Sequence, residues 1–332
     1  MMNKIERVDA VLEGRRPDRT PVSFWHHFDS DCAAGTAAVE AHVRHMETYD
    51  LDFLKIMDDN RYPRIELRDG VISGVEDLEN LPVLKGSEDS FARQLEIIEA
   101  LVRRYRGEFR MITTVFNSWT VLRQMIVPES GRHKPPVLGQ TGDPRDAALS
   151  GFLREAPEVL FSALDTIAES TVNFLQNCLK AGADGIFFSV RDDWVDSPEN
   201  GEGTYDRLVK PGDLRILKAV QGATFNMLHV CGQAVEFKRF GNYPVHAVNW
   251  ADRYAGPSIA SVSGWLKPAI CGGLNNLGTM AAGSQEDCER EAFNAMQQAG
   301  DRPIILGPGC TFDPAAVPPE NLHAIRRSVE KT

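Results

Sequence analysis

Two rhythms of apolar and polar residues take turns along the chain. Short, almost wholly apolar runs, such as Gly185-Ile186-Phe187-Phe188-Ser189-Val190, alternate with longer stretches whose apolar residues recur every three or four positions. The first kind predicts strands buried on both faces, the second amphipathic helices. Strands are predicted over 21–28, 53–58, 111–116, 185–190, 224–230, 247–250, 269–271 and 304–307. Among the helices, 91–105 carries Leu95, Ile98, Leu101 and Val102 at helical spacing, and 157–180 stops at Ala181-Gly182-Ala183. A last helix over 322–329 follows Pro318-Pro319.

Eight strands with helices between them predict an α/β fold, a (β/α)8 TIM barrel formed as a single domain over residues 1–332. A doubly wound open sheet would need a glycine-rich turn after its first strand, and Trp25-His26-His27-Phe28 supplies none. Two segments interrupt the alternation. Residues 64–74 read as a short hairpin, and 128–150 as a polar insertion rich in turn residues.

Composition narrows the field of partners. A net charge of −11 argues against nucleic acid. No run approaches the roughly 20 apolar residues of a membrane span. The opening Met1-Met2-Asn3-Lys4-Ile5-Glu6-Arg7 has no apolar signal core, so a cytoplasmic protein without a membrane partner is expected. Six scattered cysteines in a chain with a large core predict reduced thiols rather than a disulfide framework.

In a barrel, chemistry gathers where strands end. The predicted ends offer His26 and His27, Asp58 and Asp59, Asn117, Ser189 and Arg191, His229 and Cys231, Asn249, and Cys310. One residue separates His229 from Cys231, so at a strand end both side chains leave the same face. Cys310, at the end of the last strand, can complete a set of one nitrogen and two sulfur ligands. Three such ligands with one open position describe a catalytic Zn²⁺ site. His26, His27, Asn117, Ser189, Arg191 and Asn249 are the candidate substrate-binding residues around it. Asp192, Asp193 and Asp252 are candidates for a resting fourth ligand. Cys271, Trp119 and Trp250 are read as packing, as are Cys178 and Cys288.

The run Arg7-Val8-Asp9-Ala10-Val11-Leu12-Glu13-Gly14, then Pro17-Asp18-Arg19-Thr20-Pro21-Val22, resembles the start of the uroporphyrinogen decarboxylase superfamily. His229-Val230-Cys231-Gly232 and Leu306-Gly307-Pro308-Gly309-Cys310 extend the resemblance to the far end. It implies a (β/α)8 barrel. Within that superfamily, His-x-Cys with a distant Cys resembles the zinc-dependent methylcobalamin:coenzyme M methyltransferases, whose three zinc ligands fall on His229, Cys231 and Cys310. That resemblance implies methyl transfer from a corrinoid (a methylcobamide) to a thiol or tetrahydrofolate-like acceptor. No Asp-x-His-x-x-Gly segment occurs, so the cobamide would arrive on a corrinoid protein or free.

The decarboxylases' strand-two aspartate falls on Asp59, which makes it a catalytic candidate. Their Arg-Gln-Ala-Gly-Arg-Tyr segment is replaced by Trp25-His26-His27-Phe28-Asp29-Ser30, and their Gly-His-Gly by Gly307-Pro308-Gly309. Loss of those arginines counts against an acidic tetrapyrrole. A decarboxylase, or a metal-free tetrapyrrole-binding protein, is therefore the alternative. Chemistry favours the thiol: a free thiol ionises only near pH ~8.5, and zinc holds it as the nucleophilic thiolate at neutral pH. Zinc-activated hydrolysis ranks lower, because two sulfur ligands already donate much charge to the ion.

Overall fold

The apolar runs become parallel strands, in a computed structural model that describes residues 1–126, 143–191, 193–233 and 235–331. They are β1 (Phe53–Ile56), β2 (Arg110–Phe116), β3 (Gly185–Arg191), β4 (Met227–Cys231), β5 (Ala247–Trp250), β6 (Ala269–Leu274) and β7 (Ile304–Pro308). Each pairs with the next in chain order, all parallel. Alternate residues of each strand face opposite ways. Phe53, Ile112, Phe187, Met227 and Ile305 turn inward to one apolar cluster with Trp25. Leu54, Ile186, Phe188, Leu228 and Leu306 turn outward to a second cluster beneath the helices.

The helices that cover the sheet follow from their apolar stripes. In Asp89–Tyr105, Phe91, Ile97, Ile98, Leu101, Val102 and Tyr105 form the buried face. Pro157–Lys180 opens with proline at its first turn, where the missing N–H costs nothing. No helix among the described residues is long and apolar enough to cross a membrane.

The expected eight-stranded closed barrel is corrected to a curled, open, seven-stranded sheet. Residues 21–28 do not form a regular strand; only Val22 and His26 make isolated parallel bridges, to Leu306 and Phe312. The segment still runs between the two sheet edges. Ser23 N donates to Leu306 O (3.0 Å), and Asp52 N donates to Val22 O (2.9 Å). The reason the ladder fails is local. Pro21 has no N–H to give, and the Val22 N–H goes to the Asp52 carboxylate at 2.8 Å instead of to a neighbouring strand.

Asp52 is the centre of a larger clamp. Its fully buried carboxylate also accepts from Arg7 Nη1 (2.8 Å) and Arg19 Nη1 (2.7 Å), while Arg7 Nε bonds Asp18 at 2.8 Å. Arg110 joins Asp9 to Asp184 in the same region. These pairs fasten the first helix (Lys4–Leu12) and the 17–22 segment under the sheet, with Val8 and Val11 filling the inner core.

Two further expectations change. Residues 64–74 are not a hairpin: Glu66 and Asp69 have φ of 63° and 56°, outside strand geometry. Ile72 N instead bonds Met125 O at 2.9 Å, and Ile65, Leu67 and Ile72 pack on the outer core. The part of the 128–150 insertion within the described residues is helical, in Pro144–Glu155, capped by Asp143; 127–142 lie outside them.

Candidate metal centre

Strand register brings the site together. β3 and β4 pair Ser189 with His229 and Arg191 with Cys231, and β4 and β5 pair His229 with Asn249. His229 and Cys231 leave β4 on one face, as their spacing requires. Cys310 arrives from the turn after β7. The ligand atoms of His229, Cys231 and Cys310 all lie within 4.8 Å of one another. A histidine nitrogen and two sulfurs at that separation fit a Zn²⁺ ion by donor chemistry and by reach.

Each ligand is fixed from behind. Asn249 is fully buried; its Oδ1 lies 2.6 Å from His229 Nδ1, and its Nδ2 donates to Cys271 O and Pro308 O, both at 3.0 Å. Because the Asn249 amide donates both ways, its oxygen can only accept. His229 must therefore carry its proton on Nδ1, leaving the Nε2 lone pair free for a metal. Cys310 N donates to Asn276 Oδ1 at 3.2 Å, and Asn276 Nδ2 donates to Thr311 O at 2.9 Å. Two glycines make room. A Cβ at Gly309 would lie 2.7 Å from Ala251 Cα, and Gly232 combines φ of 116° with a Cβ site 2.8 Å from the Asp193 carboxyl.

The two sulfurs shift each other in opposite directions. The hydrogen bond from Cys231 outweighs burial and pulls the Cys310 thiol well below its ordinary value. The hydrogen bond to Cys310, burial and the charge on Cys310 push Cys231 well above it. Cys271, which has no such partners, is pushed up by burial, and Cys178 likewise. None of the six cysteines is in a disulfide.

The triad opens on a cavity of about 220 Å³, with Trp25 and Phe187 among its walls. Of the predicted substrate-binding residues, His27, Ser189 and Arg191 line it. Three others do not. Asn249 is enclosed behind His229. Asn117 is fully buried and caps the helix Ser118–Met125, accepting from Thr120 N at 3.0 Å. His26 turns outward against His45 and Phe312, with ring centroids 4.8 and 5.1 Å away.

Asp59 reaches the cavity only through His27, whose Nδ1 lies 2.6 Å from Asp59 Oδ1. Burial raises the Asp59 carboxyl, but the hydrogen bond and charge of His27 outweigh it and hold the group below its ordinary value. Its neighbour Asp58 lines the cavity instead, pushed up to about 6 by burial. Among the resting-ligand candidates, Asp193 is engaged by Arg191 (2.5 and 2.7 Å), and Asp252 accepts from Gly273 N at 2.8 Å. Asp192 lies outside the described residues. Trp119 and Trp250 pack in the outer core.

Sequence reasoning missed the cavity's cations. Lys55, Arg61, Arg123 and Arg145 line it beside Arg191, so arginines absent after the 21–28 segment are supplied by other elements. Arg123 is paired with Asp143 and Asp146, and Arg145 with Asp143. Lys55 is different. Its side chain is buried, and burial lowers its amine to about 7, against the opposing charges of Cys310, Asp59 and Asp58. The available signal was a lone lysine in Phe53-Leu54-Lys55-Ile56-Met57, in step with the inward-facing Phe53 and Met57.

A curled parallel α/β sheet with a metal-capable imidazole–thiol triad at its strand ends defines the class. Residues 54–332 match the family described as uroporphyrinogen decarboxylase (URO-D), and the chain belongs to that family. No curated protein matches it in sequence. The fold recurs in a methyltransferase from Methanosarcina mazei, 16% identical with a TM-score of 0.69, covering 100% of this chain and 99% of that one. It also recurs in a Listeria monocytogenes protein assigned provisionally to the vitamin-B12-independent methionine synthases. That protein is 13% identical with a TM-score of 0.54, covering 88% of this chain and 84% of the other. At these identities the likeness is one of fold.

Proposed function

We propose that this chain is a zinc-dependent methyltransferase, or the methyl-accepting half of a demethylase system, moving a methyl group from a methylcobamide to a thiol or similar acceptor. The convergence of His229, Cys231 and Cys310 within 4.8 Å is the observation that carries the reading. The fold shared with the Methanosarcina mazei methyltransferase supports it.

His229 Nε2, Cys231 Sγ and Cys310 Sγ would hold the ion. Bound there, zinc supplies a Lewis acid that keeps an acceptor thiol ionised at neutral pH. The chain's own residues do the rest. Asn249 keeps the His229 proton on Nδ1, so the imidazole meets the metal in one tautomer. Trp25 and Phe187 wall off water, which strengthens every charge interaction inside. His27, oriented by Asp59, presents its remaining nitrogen to the cavity and can take the proton that an acceptor thiol gives up. The 21–28 segment, bonded to Leu306 of β7 and to Asp52 just ahead of β1, belongs with the open sheet to one domain spanning residues 1–332.

A decarboxylase reading has one observation in its favour, the cationic lining of the cavity. Carboxylates already occupy Arg123, Arg145 and Arg191, which leaves those guanidinium groups poorer partners for an acidic tetrapyrrole. The test of the main reading is metal content of the purified protein, followed by demethylation of methylcobalamin with added thiol. About one zinc per chain and thiol-dependent loss of the methylcobalamin spectrum are expected. A protein without zinc under reducing conditions overturns the reading.

A further inference from the structure

Lys55 is a buried amine with no carboxylate in contact; the opposing charges of Cys310, Asp59 and Asp58 act on it only from beyond salt-bridge distance. Its residue is 4% exposed, yet no carboxylate of the described residues lies within salt-bridge distance. The ammonium donates to Met57 Sδ at 2.9 Å and sits 4.4 Å from the Phe187 ring centroid and 5.9 Å from that of Trp25. A thioether is a weak acceptor, and cation–π contacts return only part of the lost hydration. Removing an ammonium from water is costly, and contacts of this kind do not replace an anion. Three other lining cations, Arg123, Arg145 and Arg191, are each matched by aspartate.

The position explains what could complete it. The Phe187 ring lies against the Lys55 ammonium and also stacks on His229 at 5.2 Å, so one ring contacts both the amine and the metal triad. Ser189, two residues along β3 from Phe187, lines the same cavity. Thr114 also lines it, but its hydroxyl already donates to Ile56 O at 3.0 Å. Lys55 and Ser189 thus line one cavity with the triad, and neither spends its polar hydrogens on a carboxylate.

We propose that Lys55, aided by Ser189, is an anion-binding subsite for the carboxylate-type head group of the molecule whose other end reaches His229, Cys231 and Cys310. This rests on the metal-centre reading for the far end of the ligand, not for the subsite itself. One ammonium with one hydroxyl suits a singly charged oxyanion, and the ligand supplies the contacting anion that no carboxylate of the protein provides.

Calorimetric titration tests this with two probes of similar length, 3-mercaptopropionate and uncharged 3-mercaptopropan-1-ol, on zinc-loaded protein. Wild type is expected to bind the acid at least ~10-fold tighter than the alcohol, the scale of one charge-assisted hydrogen bond. Lys55→Met should remove that preference and leave alcohol binding unchanged, while Lys55→Arg restores part of it. Equal binding of both probes by wild type, or a preference that survives in Lys55→Met, overturns the proposal. Propionate alone, titrated into metal-free protein, separates the two readings. If neither thiol binds zinc-loaded protein but propionate still distinguishes wild type from Lys55→Met, the metal reading fails and the subsite stands. Should Lys55→Met not fold, Lys55→Gln serves in its place under the same criteria.

Discussion

Four of the eight histidines lie between positions 26 and 45, whereas β4 contributes one, yet the single one is the metal candidate. The difference lies in what each ring has left to offer. His42 Nδ1 is bonded to Ala38 O (2.8 Å) and its Nε2 accepts from Met57 N (2.9 Å), so both nitrogens are committed to backbone. His45 Nε2 is bonded to Phe24 O at 2.9 Å. His229 has one nitrogen committed, to Asn249, and the other facing two sulfurs. A buried histidine is thus a packing feature when the backbone takes both its nitrogens, as at His42. One histidine becomes a ligand when a neighbour fixes its proton and leaves the far nitrogen open.

The sharpest way to break the comparison is to remove a ligand from the open set. Cys310→Ala leaves one imidazole and one sulfur, and zinc affinity should fall by ~10³-fold or more, since roughly 10 kcal/mol or more of zinc binding is spread over a few ligands. Zinc content after dialysis, read by mass spectrometry, checks this beside a thermal melt. Little change in melting of the metal-free protein is expected, because Cys310 sits on a half-buried turn outside both apolar clusters. Full retention of zinc would sink the three-ligand assignment.

The committed histidines should instead show themselves in acid. Burial pushes His42 down to about 4 from an ordinary 6.5, so the unfolded chain takes up a proton before the folded one does. Stability then falls as pH drops from 6.5 and levels off below about 4, a loss of about 3 kcal/mol from this ring. His45, pushed to about 3, adds a loss that continues to lower pH. Denaturant midpoints of metal-free protein between pH 7 and 4 measure the slope. His42→Gln should flatten it by the His42 share; an unchanged slope would mean that the buried ring is not what titrates.

Much of this contrast was legible before any coordinates, and the limits have physical causes. The spacing of His229 and Cys231 is a strand parity, and parity survives without knowledge of the tertiary structure. The segment from Arg7 to Val22 was legible only as a resemblance. Its physical content is the clamp on Asp52, three charged residues far apart in sequence whose meeting no local pattern announces. The same clamp takes the Val22 N–H and so accounts for the strand that was expected and is not regular. Asp58 and Asp59 were assigned by position at a strand end. β1 stops at Ile56, parity is lost beyond it, and the pair comes out exchanged, with Asp58 in the cavity and Asp59 behind His27. Lys55 was hidden by the apolar run around it.

Asn249 is where sequence position and role part most clearly, and it gives the subtlest test. As a polar residue at a strand end it was expected to touch substrate. β4–β5 register instead seats it beside His229, and all three of its polar contacts go to protein. Asn249→Ala removes no ligand and leaves the triad's own donors in place. It does free the His229 ring to rotate and to carry its proton on either nitrogen, so only a fraction of molecules would present Nε2 to the ion. Partners of this kind typically account for 10–100-fold in metal affinity. Zinc affinity of Asn249→Ala, measured by competition with a chelator, should therefore fall by about 10–100-fold, less than for Cys310→Ala. An affinity equal to wild type would return His229 to the company of His42 and His45, a ring held by its surroundings rather than by one designated neighbour.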